Sequence, residues 1–234
     1  MTAAANVRFV AKNDGTATNV TFKGGSAGDY VEFELGNVSA AGNAGDDIFA
    51  FINAGSNSTF GESDVINVGA GSDTIQIGLN GNAAPATYNI SETELRNKTS
   101  IGTLDLRGQT TNLTLSSDFL ANADTANSIT VRTDKIIQGS ATDPANPVNW
   151  VNNGNENAAT ATVNLTKLSS NQAVTYLGGS GSDRLILNDA TFNVLQNLDG
   201  GVYNDTAVRA AGSNRYDTIT VRTDGEHVVI DAND

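Results

Sequence analysis

The sequence predicts an all-β protein built as a parallel β-solenoid with one or two short helical turns. Three observations carry this: dense short β-type runs, an internal repeat, and glycine–aspartate turns in a spaced register. The composition agrees, since 38% hydrophobic residues are too many for a disordered chain. Aromatics make up only 6%, so Val, Ile, Leu and Ala must build the core.

The first β-type runs are Val7–Val10, Val20–Phe22, Tyr30–Leu35, Ile48–Ile52, Val65–Val68 and Thr74–Ile77. Further runs follow at Thr87–Ile90, Thr103–Leu106, Asn112–Leu115 and Ser128–Val131. The last are Ala161–Leu165, Val174–Leu177, Arg184–Leu187, Thr218–Val221 and His227–Ile230. Gly, Asn, Asp and Ser separate them, as turns between short strands require. Ser91-Glu92-Thr93-Glu94 reads as a capping box opening a short helix, because serine and glutamate can each bond the other's backbone amide. Asp189 is placed to cap a second helix over Ala190–Leu198, where Phe192, Leu195 and Leu198 recur at helical spacing.

Residues 138–159 hold two of the three prolines, the only Trp and many Asn, without periodicity. They read as a long exposed loop between an N-terminal half, 1–137, and a second β-rich half, 160–234; a domain boundary is the alternative. Ile-Thr-Val-Arg-Thr-Asp occurs twice, at Ile129–Asp134 and Ile219–Asp224, which supports two related halves. Ala86–Ser91 parallels Ala161–Thr166 in pattern.

The stretch Gly178-Gly179-Ser180-Gly181-Ser182-Asp183-Arg184-Leu185-Ile186 fits the nonapeptide G-G-x-G-x-D-x-U-x, U being a large apolar residue. Glycines permit a tight turn with inward carbonyls, aspartate adds carboxylate oxygen, and the apolar residue enters the core. Calcium takes six to eight oxygen ligands, which stacked turns of this kind can supply. Degenerate copies begin at Gly24 (reaching Asp29), at Ala41 (with Gly42 and Asp46), at Val68 (with Gly69, Gly71 and Asp73) and at Gly200 (reaching Asp205). Asp46, Asp64 and Asp73 stand eighteen and nine residues apart. In a coil of two nonapeptides, Asp46 and Asp64 share one edge and Asp73 takes the other. The metal-ligand candidates are therefore Asp46, Asp64, Asp73, Gly42, Gly69, Gly71, Asp29, Gly179, Gly181, Asp183 and Asp205, with Asp46 and Asp64 as the leading pair. An ordinary solvated Gly-Ser-Gly-Ser-Asp turn is the alternative at Asp183, whose neighbours at nine-residue spacing do not repeat the motif.

On these residues the chain resembles the RTX family of hemolysin-type, calcium-binding β-roll proteins. Ile101–Gly108 with Asn112–Ser117 also looks like metal-poor solenoid regions of large RTX-type adhesins. The resemblance implies a right-handed parallel β-roll, calcium-induced folding and type I secretion.

With 26 acidic against 13 basic residues, net charge −13, the chain should repel phosphate backbones, so nucleic acid is not an expected partner. The absence of cysteine excludes disulfides and thiolate chemistry. No run is long enough to insert in a membrane, and the first residues lack a basic region followed by an apolar one. Export is then expected without a cleaved signal, to the cell surface or medium; a virion surface is the other expected home.

Catalysis finds little support. His227 is the single histidine and no G-x-S-x-G elbow accompanies it. Glu32 and Glu34 alternate within Tyr30–Leu35 as residues of one solvated face would. The expected function is non-enzymatic: a calcium-stabilised module that self-associates or joins a surface or capsid lattice, as a surface-layer, adhesin-like or virion coat protein. The alternative is a calcium-dependent module for surface glycan, using Trp150 as a stacking platform. A β-helix polysaccharide-degrading enzyme is the third reading.

Overall fold

A computed structural model describes residues 6–11, 19–34, 36–53, 60–79, 87–106, 110–132, 161–169, 171–177, 184–186, 195–199 and 218–220. Its largest sheet has eight strands, in the order β1 (Arg8–Ala11), β3 (Tyr30–Phe33), β5 (Ile48–Asn53), β7 (Thr74–Leu79), β10 (Thr103–Asp105), β12 (Ser128–Arg132), β14 (Ala173–Leu177) and β16 (Leu195–Asp199). A four-stranded sheet runs β2 (Val20–Lys23), β4 (Val38–Ala41), β6 (Val65–Asn67), β9 (Lys98–Thr99). A five-stranded sheet runs β17 (Thr218–Thr220), β15 (Arg184–Ile186), β13 (Ala161–Lys167), β11 (Thr111–Ser116), β8 (Tyr88–Ile90). Every strand pairing within these sheets is parallel. Each strand therefore reaches its neighbour only after a long crossover.

The right-handed parallel β-solenoid or β-roll expected from the sequence is overturned by this arrangement. A roll of paired nonapeptides alternates two facing sheets every nine residues. Among the described residues there are three sheets of unequal size. Hydrogen-bonded partners at the head of the large sheet are 22, 18 and then 26 residues apart. The spacing fails because the connections differ in length; further along the chain, two connections among the described residues hold helices, α1 (Glu92–Leu95) and α2 (Ser117–Ala121). Of these, α1 has the expected capping box, with the Ser91 amide donating to Glu94 Oε2 at 2.8 Å and the Thr93 amide to Ser91 Oγ at 3.2 Å. The helix expected over Ala190–Leu198 is replaced in part by β16, which pairs with β14 through Val174↔Leu195 and Tyr176↔Leu198.

Register explains the core. Phe9, Val31, Phe49, Ile75, Leu104, Val131 and Tyr176 stand opposite one another across seven consecutive strands. All of them except Phe9 are buried. In the five-stranded sheet Ile90, Leu113 and Val163 form a second buried column. Burial of such columns supplies most of the folding drive, at about 25 cal/mol per Å² of apolar surface. Parallel sheets usually have both faces covered, and β3 is buried at all four positions. Glu32 is thus not on a solvated face: it is 6% exposed, accepts from the Tyr30 hydroxyl at 2.7 Å and meets Arg8 at 3.5 Å.

The first copy of Ile-Thr-Val lies in β12 of the largest sheet, and Ile219 and Thr220 of the second lie in β17 of the five-stranded one. Pairing of β12 with β14 and of β11 with β13 carries the hydrogen bonding across residues 138–159, which lie outside the described residues.

Candidate functional site

Three six-residue turns lead into β3, β5 and β7: Gly24–Asp29, Gly42–Asp47 and Val68–Asp73. Backbone bonds stack them, with the Ala44 amide donating to Gly25 O at 3.2 Å, Gly45 to Ala70 O at 2.9 Å, and Ala70 to Asn43 O at 3.0 Å. Each turn ends on a buried aspartate immediately before its strand, and Asp29, Asp47 and Asp73 form a column. Their carboxylates do one job. Asp29 Oδ1 accepts the Val7 amide at 2.9 Å, Asp47 Oδ1 the Asp29 amide at 2.6 Å, and Asp73 Oδ1 the Asp47 amide at 2.7 Å. Each acid thus satisfies an amide at the head of the preceding strand, and the amides of Asp29 and Asp47 would otherwise be buried without a partner.

The second carboxylate oxygen distinguishes the three. Asp29 Oδ2 accepts from Gly25 in its own turn at 3.2 Å. In the next two turns Asn43 and Gly69 take the place of Gly25, with φ of +78° and +122°. Asp47 Oδ2 and Asp73 Oδ2 are buried without a hydrogen-bond partner. Burial pushes the Asp47 carboxyl up to about 7; the Asp29 amide opposes this, while the charges of Asp73, Asp29 and Asp46 add to it. Burial likewise raises Asp73 to about 6, with the Asp47 amide opposing and Asp124 and Asp46 adding. Desolvation favours the neutral acid, and a carboxylic acid can keep a proton where a carboxylate would be costly.

Of the residues expected to hold metal, Asp29, Gly42, Asp46, Gly69, Gly71 and Asp73 come together in this stack. Asp46 is exposed, and its Oδ1 accepts the Ser72 amide at 2.8 Å. Asp64 stands elsewhere, before β6 in the four-stranded sheet, so the pair Asp46–Asp64 does not share an edge. Its oxygens accept from Val38 and Gly61, both at 2.8 Å. Asp47 is the residue that sequence reasoning misses. The Asp46-Asp47 doublet leaves the motif position ambiguous, and inward burial of Phe49, two residues after Asp47, resolves it. Gly179, Gly181, Asp183, Asp205, Trp150 and His227 lie outside the described residues. Among the described residues no three His, Asp or Glu side chains are gathered as a metal ion requires.

Beside Asp64 a cation is already built into the chain. Lys98 is 2% exposed and stands in register with Ile66, facing the core. Its Nζ donates to the carbonyls of Gly61 at 2.6 Å, Asp64 at 3.0 Å and Arg96 at 3.0 Å, and lies 5.0 Å from the Phe60 ring centroid. Burial lowers its pKa to about 8, against the opposing pull of Asp64, Glu94 and Glu62. The ammonium fills a carbonyl cage as a bound ion would. Lys98→Met keeps the stem but strands three carbonyls, and is expected to lose about 3 kcal/mol in urea unfolding at neutral pH; a loss below about 1 kcal/mol would show the cage to be dispensable.

No family model, curated protein or solved structure matches the chain.

Proposed function

We propose that the chain is a non-enzymatic structural protein of surface assembly, in a surface-layer, adhesin-like or virion coat role outside a cell or on a particle. One observation carries this reading. The buried acids Asp29, Asp47, Asp64 and Asp73 each accept backbone amides that join neighbouring strands. Groups that an acid–base enzyme would aim at a substrate are here spent on holding the sheets together. Light scattering of the full chain at rising concentration tests the reading, which predicts growth of mass with concentration; a strict monomer throughout would sink it.

Calcium enters this proposal at the full nonapeptide, through Gly179, Gly181 and Asp183, on which the RTX resemblance rests. The Asp46–Asp64 pair does not fit it, since Asp46 lies in the turn that leads into β5 and Asp64 before β6 of another sheet, and Lys98 occupies the carbonyl cage beside Asp64. Calcium at about a hundred times its dissociation constant should add about 2.7 kcal/mol. Thermal melts in calcium and in EDTA should therefore differ, and Asp183→Ala should remove the difference without lowering the melt in EDTA. Identical wild-type melts in both would remove calcium and leave the structural role standing.

A further inference from the structure

We draw no further inference here: the strongest candidate, the rank of partly exposed threonines Thr74, Thr103, Thr130 and Thr175 in register across β7, β10, β12 and β14 of the largest sheet, is a polar stripe, and nothing in the structure shows what covers it.

Discussion

Gly42→Ala is expected to destabilise the protein by about 3 kcal/mol or more, read as a fall in the urea midpoint. A methyl group at Gly42 would lie 2.0 Å from the Val68 carbonyl oxygen and 2.1 Å from Asp47 Oδ2. The carboxylate could swing away only by giving up the Asp29 amide. The carbonyl belongs to the backbone of the neighbouring turn, which is tied in place by the Gly42 amide bonding Asn67 O at 3.0 Å. Neither obstacle can move cheaply, so the turns must separate. Gly61→Ala is the matched comparison: nothing stands within 4 Å of its new methyl, and a change within about 0.5 kcal/mol is expected. Equal midpoints for the two variants would refute the tight stacking of the turns.

The second large effect is on pH. Asp47 and Asp73 have folded-state carboxyls raised to about 7 and about 6, above the ordinary aspartate value of 3.8. Between that value and the raised ones the folded chain binds more protons than the unfolded chain. Stability therefore falls as pH rises through this interval and levels off above about 7. A loss on the order of 5 kcal/mol from about pH 4.5 to about pH 8 is expected, because moving a carboxyl's titration by one pH unit between the unfolded and folded chain is worth about 1.36 kcal/mol. The proton has a place to go, since Asp47 Oδ2 and the Val68 carbonyl oxygen crowd the same point beside Gly42. Asp47→Asn with Asp73→Asn keeps the shape and the Oδ1 acceptors while removing the ionisation. That double variant should show a much flatter profile across the same interval and melt above wild type at pH 8. Wild-type stability that holds level or rises over the interval would contradict the burial of these acids.

How much of this is legible in the sequence follows from what each signal encodes. The β-branched and aromatic runs at Val20–Phe22, Tyr30–Leu35, Ile48–Ile52 and Thr74–Ile77 mark β2, β3, β5 and β7 to within a residue or two. β4, whose sequence is Val-Ser-Ala-Ala, escapes because its small residues give little strand signal; it is made by pairing with β2 and β6. Ser91 announces α1 through a reciprocal cap, whereas α2 follows a strand with no such box and stays hidden. The overall architecture departs from expectation because a nine-residue motif fixes the shape of one turn but not the length of chain between turns. The turn residues themselves are well marked, and six of the candidates converge. Counting alone puts Asp64 with Asp46, and only the register of β6 on β4 shows that it serves another sheet. Lys98 carries no signal at all, since a lysine in a two-residue strand reads as solvated until the core closes round it.

That lysine sets one region apart from its surroundings. An ion drawn from the medium leaves when the medium is depleted, but an ammonium on a four-carbon tether cannot be diluted, chelated or exchanged. The segment around Gly61, Asp64 and Arg96 thus keeps its counter-charge in brine, buffer or distilled water alike, for as long as the pH stays below the point where the amine gives up its proton.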